Sequence, residues 1–209
     1  MFFSYFISFI SSCLKQNESD NQRKKANHLK TKETILTGKC GENLNYVIES
    51  DTLKINGDGL MSDFDMLSSI PPWYDARTSI RKIIISTGAT SIGIFGFRDI
   101  TAFESITIPE SVISIGNYAF QSCANLPNIS LPSGITSIGN SAFHSCSNLE
   151  SIVIPNGVSS INDYTFYLCT NLRNANIPNS VTSIANSAFY SYKNLENIRN
   201  SDNLIIIDE

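Results

Sequence analysis

The chain has 209 residues, enough for one ordinary domain, and a formal net charge of −4 at pH 7. An acidic chain has no electrostatic attraction for nucleic-acid phosphates, so we predict no nucleic-acid partner. Only 16% of its residues are charged, against about 25% in an average globular protein, which indicates a surface built largely from Ser, Thr and Asn. The five cysteines have no CxxC spacing, which excludes the common zinc and redox motifs.

Residues 1–14 are rich in apolar and aromatic side chains and include the small residues Ser11 and Ser12. The stretch is shorter than the about 20 residues that a membrane-spanning helix needs, so we predict no stable membrane span. Its length is typical of a signal-peptide core, although no Lys or Arg precedes it. We interpret residues 1–14 as a candidate signal peptide, with a gene-start artefact as the alternative.

Residues 15–33 are polar and charged, with the basic triplet Arg23-Lys24-Lys25 and almost no apolar side chains. Such a segment cannot bury enough surface to offset the entropy lost on ordering. We therefore predict a disordered linker here.

From Thr34 the pattern becomes that of β-structure. Residues 44–48 and 52–55 alternate around a short polar turn and predict a hairpin, and residues 56–59 predict a second turn containing two glycines. A stack of repeats must cover its first unit, and large aromatics such as Trp73 suit that purpose. The sequence therefore predicts an N-terminal β cap over residues 34–81.

The rest of the chain repeats every 23 residues. Prolines, phenylalanines, cysteines and asparagines recur at this step. The columns are Pro109, Pro132, Pro155 and Pro178; Phe97, Phe120, Phe143, Phe166 and Phe189; Cys123, Cys146 and Cys169; and Asn125, Asn148, Asn171 and Asn194. A fixed period of about 20–50 residues is typical of a solenoid, in which each unit stacks only on its neighbours.

One unit contains two kinds of local pattern. Ile129 and Leu131 alternate with polar residues, as in a half-buried strand, and Asn140 could cap a short helical turn over residues 141–146. We therefore predict that residues 82–209 form an α/β solenoid of about five coils, each with short strands and a short helical turn.

The polar columns favour structural over catalytic roles. Tyr192 replaces cysteine in its column, and a set of metal or redox ligands would not tolerate that replacement. We therefore interpret the cysteines as small buried side chains that pack in the interior. We expect the asparagines to bond backbone groups in the turns. His144 has no carboxylate or nucleophile that the sequence places beside it, and we expect an exposed helical residue. We predict no catalytic residues, no metal site and no enzyme activity.

The repeat unit has the pattern S-I-x-I-P-x-x-V-x-S-I-G-x-x-A-F-x-x-C-x-N-L, which resembles the leucine-rich repeat of the BspA type, also called treponema-type. Four full units and one diverged unit match between residues 82 and 197. The departures from the pattern are Asn162, Thr165, Ala175, Ala185 and Tyr192. The resemblance implies a leucine-rich-repeat solenoid with a preceding cap, no catalytic residues and no cofactor.

The resemblance also implies a function, because such proteins occur on the surfaces of bacteria and parasitic protists and are associated with adhesion. Our first hypothesis is an extracellular or surface protein, monomeric, that binds a protein or glycan on a host or neighbouring cell. The alternatives are a cytoplasmic scaffold for protein–protein contacts and a truncated family copy without independent function.

The first strand of each coil has two outward columns, which are the candidate binding face. The columns begin with Lys82 and Ile84, and their side chains are mostly hydroxyls and amides with almost no charge, which indicates recognition by hydrogen bonds and shape. Asn128 begins a glycosylation sequon, and a glycan there would obstruct the face. The residues are Ser105, Thr107, Asn128, Ser130, Ser151, Val153, Asn174 and Asn176.

Overall fold

The computed structural model describes residues 35–185 and 187–190, together with the backbone of Asn197–Arg199. The predictions for residues 1–14 and 15–33, and those for Tyr192 and Asn194, lie outside the described residues. Where the structure is described it contains fourteen strands and one 3₁₀ helix, Tyr74–Ala76. No described helix has the length and apolar character that crossing a bilayer requires.

The strands are short, and most coils contain two of them, a first strand and a second strand. In chain order they are β1 (Leu36–Lys39), β2 (Asn43–Glu49), β3 (Thr52–Gly59), β4 (Lys82–Ile85), β5 (Gly88–Ala89), β6 (Ser91–Ile92), β7 (Ser105–Thr107), β8 (Ser114–Ile115), β9 (Ser137–Ile138), β10 (Ser151–Val153), β11 (Ser160–Ile161), β12 (Asn174–Asn176), β13 (Ser183–Ile184) and β14 (Asn197–Arg199).

The cap is an antiparallel sheet that turns into the first rung of the stack. The predicted hairpin is confirmed: β2 and β3 pair in antiparallel fashion, and β1 adds to the outside of β2. The turn predicted at residues 56–59 is wrong, because β3 continues to Gly59. Gly57 has a φ of +112° and pairs with Leu44, and a Cβ at Gly57 would lie 2.0 Å from the carbonyl oxygen of Asn43, so the position needs glycine. β3 then pairs in parallel with β4 and β5.

The coils stack with residues 23 apart in register, as the period predicts. We number the coils by their first residue: coil 1 begins at Lys82, coil 2 at Ser105, coil 3 at Asn128, coil 4 at Ser151 and coil 5 at Asn174. The first strands of successive coils pair in parallel, and we call this set of pairs the first ladder. In it β4 pairs with β7, and β12 pairs with β10 and β14. The second ladder joins β6, β8 and β9 and pairs β11 with β13.

A single row of phenylalanines fills the interior. Neighbouring rings lie 5.2–5.6 Å apart between centroids, and the row is Phe97, Phe120, Phe143, Phe166 and Phe189. Trp73 continues the row into the cap at 5.8 Å from Phe97, is 1% exposed, and donates its indole N–H to the carbonyl of Gly96 at 2.8 Å. The inward assignment of the phenylalanine column and the covering role of Trp73 are therefore confirmed.

The predicted helical turns are wrong, because successive backbone N–H groups bond alternately to a carbonyl of their own coil and to a carbonyl of the next coil. In coil 3, three of them bond three residues back within the coil, and the three between them bond carbonyls of coil 4. The inner pairs are Ala142 to Gly139, His144 to Ser141 and Cys146 to Phe143; the outer pairs are Ser141 to Asp163, Phe143 to Thr165 and Ser145 to Tyr167. A helix would keep every N–H within the coil and leave the neighbouring carbonyls without donors.

Alternate bonding needs an unusual backbone at two positions of the turn. Ser141 and Ser145 have φ values of 56° and 60°, and the equivalent residues of coils 1, 2 and 4 behave alike. The left-handed region costs a non-glycine residue free energy, so it persists only where the neighbouring coil holds the backbone. The fold is thus a leucine-rich-repeat stack of strands and turns, without α-helices in the described residues.

Each ladder is interrupted once, at a departure from the repeat. The N–H groups of Glu104, Glu150 and Arg173 donate to the preceding coil, whereas Pro127 in the same column has no N–H, and coils 2 and 3 form no strand pair in the first ladder. The strand predicted at residues 128–131 is reduced to one bridge, from Asn128 to Ser151.

The interruption of the second ladder lies one coil further on. In the other described coils, the carbonyls at the end of the second strand accept a backbone N–H from the next coil, as Ile115 does from Gly139 at 2.9 Å. Asn162 stands where those coils have glycine or alanine, and its side-chain amide donates to the carbonyl of Ile138 at 2.7 Å instead. No strand pair is described between β9 and β11, because a side chain occupies the acceptor that the backbone would use.

Candidate binding surfaces

The eight candidate residues, which we call the strand face, lie in two adjacent columns of the first ladder. Ser151 pairs with Asn174 and Val153 with Asn176, while Ser105 and Thr107 pair back to β4. All eight side chains are exposed except that of Ser151, which is half-buried. The structure therefore brings the predicted residues together on one surface, interrupted between coils 2 and 3.

The chemistry of the strand face is neutral and polar. The Ser151 hydroxyl donates to the Asn128 side-chain oxygen at 2.8 Å, so neighbouring coils are also joined through their side chains. Val153 is 61% exposed and adds an apolar contact point among the hydroxyls and amides. The eight side chains offer both donors and acceptors and carry no charge themselves, and the exposed Lys82 stands beside Ser105 at one end of the columns.

The cysteine column is buried and structural, as predicted. Cys123, Cys146 and Cys169 are each 0% exposed, and their thiols donate to the carbonyls of Phe97, Phe120 and Phe143 at 3.1, 3.1 and 3.0 Å. Burial raises the pKa of the Cys123 and Cys146 thiols well above the usual thiol range. A buried, protonated thiol is a poor nucleophile and a poor metal ligand.

The asparagine column differs in part from its prediction. Asn125 donates to the backbone carbonyl of Thr101 at 2.6 Å, as expected, but Asn148 and Asn171 donate to the side-chain oxygens of the preceding asparagines at 3.4 and 3.2 Å. The column is therefore a side-chain ladder, which ties coils 2, 3 and 4 together along an exposed edge.

His144 is not the exposed helical residue that the sequence predicted. Its ring is partly buried and stacks on Tyr167 at 4.9 Å, and Tyr167 stacks on Tyr190 at 5.3 Å. Burial lowers the pKa of His144, which favours the neutral ring. Sequence reasoning missed this aromatic stack, although its three members lie 23 residues apart and the period contained the signal.

A cleft of about 340 Å³ lies beside the second ladder, and sequence reasoning missed it too. We call it the serine cleft. Its lining residues come from the cap and from coils 1 to 3. They are Leu60, Met61 and Asp63 of the cap, and Ser91, Ile92, Gly93, Ile94, Ser114, Ile115, Gly116, Asn117, Ser137 and Gly139 of the coils. The glycines recur at the repeat step, which was the only available sign of it.

The described residues contain no group of three or more His, Cys, Asp or Glu side chains that could hold a metal ion. The chemistry available on the surfaces is therefore that of hydroxyls, amides, aromatic rings and isolated charges. One hydroxyl does lie beside a base, since Ser145 Oγ is 2.8 Å from His144 Nδ1, but no described hydrogen bond joins that ring to a carboxylate that would orient it.

Three solved structures resemble this chain. A leucine-rich repeat protein from Eubacterium ventriosum is 28% identical, with a TM-score of 0.70, over 81% of this chain and 45% of its own length. A leucine rich cell surface protein from Faecalibacterium prausnitzii is 24% identical, with a TM-score of 0.55, over 75% and 46%. The T. pallidum leucine-rich repeat protein is 20% identical, with a TM-score of 0.50, over 70% and 80%. The last two likenesses show the fold alone.

The first two of these proteins are much longer, since this chain spans less than half of each. No curated protein sequence matches the chain. The profile of the BspA type leucine rich repeat region matches residues 68–196 as six copies, which is more than half of the chain. The match, the register of the coils and the phenylalanine row agree, and the chain belongs to the BspA-type leucine-rich-repeat family.

Proposed function

We propose that this protein is a non-catalytic, secreted or surface-exposed adhesion protein that binds a protein or glycan on a host or neighbouring cell through the strand face. The observation that carries the proposal is the strand face itself: eight uncharged side chains in two columns, seven of them exposed. The family supports it, and one of the similar structures is a cell surface protein of a bacterium.

The geometry of the strand face suits a large ligand better than a small one. Neighbouring parallel strands lie about 4.8 Å apart, so the two columns form an extended, shallow surface and no pocket. Hydroxyls and amides at regular spacing can bond backbone groups of a protein or hydroxyls of a glycan. Because the face is neutral, affinity depends on shape and hydrogen bonds, and the dissociation constant changes little with salt.

The test uses the full chain and surfaces coated with purified extracellular-matrix proteins or with a glycan array. In the test variant, Thr107→Arg, Ser130→Arg and Asn176→Arg place three charges on the strand face. In the control, Thr87→Arg, Thr101→Arg and Asn156→Arg place three charges on exposed positions elsewhere. We expect the test variant to lose about tenfold or more in affinity, or about 1.4 kcal/mol, while the control stays within about twofold.

Two outcomes oppose the proposal. Equal losses in both variants would locate binding away from the strand face, and a wild-type affinity that falls steeply with salt would indicate charge-driven binding. The location is tested separately by mass spectrometry of the native protein. A processed amino terminus between Ser11 and Lys15 supports export, whereas an intact Met1 favours the cytoplasmic scaffold.

A further inference from the structure

We propose that the serine cleft binds one neutral saccharide unit. The cleft lies beside the second ladder and shares no residue with the strand face, so the proposal does not depend on the function proposed above. Its volume of about 340 Å³ falls at the lower end of the about 300–1,000 Å³ typical of small-molecule sites, which suits a single pyranose ring.

The floor of the cleft is backbone, because it follows a column of glycines. A Cβ at Gly93 would lie 2.0 Å from the carbonyl oxygen of Ser62, and one at Gly116 would lie 2.6 Å from the backbone nitrogen of Ile94. The column therefore lets successive coils approach closely and leaves no side chain standing over the floor. Gly93, Gly116 and Gly139, the members of this column in coils 1, 2 and 3, all line the serine cleft.

Side-chain hydrogen bonds lie at the cap end of the cleft and in the coil that follows it. At the cap end, the backbone N–H of Met61 donates to the Ser91 hydroxyl oxygen at 3.1 Å and holds the wall formed by Leu60–Asp63 against coil 1. Beyond Gly139, the glycine column ends at Asn162, whose amide is bonded to the carbonyl of Ile138. The same departure that interrupts the second ladder therefore also ends the glycine column.

The side of the cleft presents two hydroxyls in register. Ser114 and Ser137 pair directly in parallel strands, and within the described residues neither hydroxyl has a hydrogen-bond partner. Paired residues of neighbouring parallel strands lie about 4.8 Å apart. This spacing is close to the separation of alternate equatorial hydroxyls on a pyranose ring, so one sugar can bond both serines at once.

The remaining polar groups favour a neutral ligand. Among the described residues that line the cleft, Asp63 alone is charged. One of its oxygens accepts the N–H of Ile94 at 2.8 Å, and the other can accept a sugar hydroxyl. The Asn117 side-chain oxygen accepts the N–H of Asn140 at 2.8 Å, which leaves its NH₂ group to donate. A carboxylate repels anions, whereas a polyol supplies both donors and acceptors, and Leu60 offers an apolar contact to the ring C–H groups.

In the experiment, the full chain is titrated with methyl glycosides of glucose, galactose and mannose and with N-acetylglucosamine. Binding is measured by saturation-transfer NMR. N-acetylneuraminic acid serves as the anionic comparison. The test variant carries Ser114→Ala and Ser137→Ala, and the matched control carries Ser160→Ala and Ser183→Ala, the same column outside the cleft. Asp63→Asn removes the charge and keeps the acceptor for Ile94.

We expect at least one neutral sugar to bind in the millimolar range. The test variant and Asp63→Asn should each weaken that binding about fivefold or more, while the control stays within about twofold of wild type. The proposal is overturned if no neutral sugar binds, if the test variant binds like wild type, or if the anionic sugar binds best. Thermal melting of each variant establishes that it is folded, and sugar binding by the strand-face variant separates this site from the proposed function.

Discussion

The phenylalanine row and the two strand ladders hold the same coils together, yet only the row is continuous. Rings follow one another from Phe97 to Phe189 without a gap, whereas the first ladder breaks at Pro127 and the second at Asn162. The register does not slip at either break, because the row, the turn hydrogen bonds between coils and the other ladder all continue across it. The comparison indicates that interior packing, together with the turn hydrogen bonds, keeps the coils in register where a strand ladder is interrupted.

The energies of the two kinds of contact explain this difference. Burying a phenylalanine side chain stabilises a fold by about 1.5–3 kcal/mol, and removing it also leaves a cavity. One backbone hydrogen bond contributes about 0.5–1.5 kcal/mol net, because the unfolded chain bonds to water instead. A coil can therefore lose a few ladder bonds and still stack, but it cannot lose its phenylalanine at the same cost.

The largest effect is expected from breaking the row at its centre. Phe143 is 0% exposed and stacks on Phe120 at 5.3 Å and on Phe166 at 5.5 Å. Phe143→Ala should lower the free energy of unfolding by about 3–5 kcal/mol, because a cavity between two rings cannot collapse fully. Denaturant unfolding followed by circular dichroism measures the change.

Tyr190→Ala is the matched control for Phe143→Ala, since it removes a stacked ring from the surface. Tyr190 is 61% exposed and contacts Tyr167, so its loss should cost about 0.5–1.5 kcal/mol. Equal losses in the two variants would contradict the view that the buried row dominates.

A smaller effect is expected where the coils approach most closely. A Cβ at Gly116 would lie 2.6 Å from a backbone nitrogen of coil 1, so Gly116→Ala should separate the coils and cost about 1–3 kcal/mol. At Gly134 the nearest atom would be 3.2 Å away, the carbonyl oxygen of Glu110, and Gly134→Ala should change stability by much less. Similar melting temperatures for the two variants would refute the close approach at Gly116.

The smallest change in stability is expected from repairing the first ladder. Pro127→Ala supplies an N–H in the column where Glu104 and Glu150 donate to the preceding coil. The new bond contributes about 0.5–1.5 kcal/mol, and the more flexible unfolded chain offsets about 0.4–1 kcal/mol of it. Stability should therefore stay nearly constant.

The diagnostic measurement for Pro127→Ala is hydrogen exchange. The new amide at position 127 should be protected from exchange. The amide of residue 150 should be protected in wild type and also in a Glu150→Ala control, because that substitution keeps the backbone N–H. Rapid exchange at position 127 would mean that the missing N–H does not cause the interruption.

The 23-residue period predicted much of this structure correctly. It placed the phenylalanines in one row, paired strands of successive coils, buried the cysteines and grouped the eight residues of the strand face. These features depend on which residues share a column, and a repeat of constant length determines that directly.

The helical turns, the aromatic stack and the serine cleft show where the period was insufficient. Alanine, phenylalanine and cysteine at helical spacing favour a helix when one coil is considered alone. The bonds made by Phe143 and Ser145, however, go to coil 4, and a single unit contains no information about those acceptors. His144 was judged alone in the same way, although its partner lies one period further on.

The sequence by itself determined the family, the register and the interior, because each follows from residue type at a constant step. Only the tertiary structure decided whether the turns were helical, where each ladder ended and where a cleft opened. Those features depend on contacts between atoms of neighbouring coils at distances of 2–4 Å: the missing N–H of Pro127, the side-chain amide of Asn162 and the bare backbone of the glycine column. The sequence shows that Pro127 and Asn162 depart from the repeat. The structural effect of each departure depends on the atoms of the neighbouring coil.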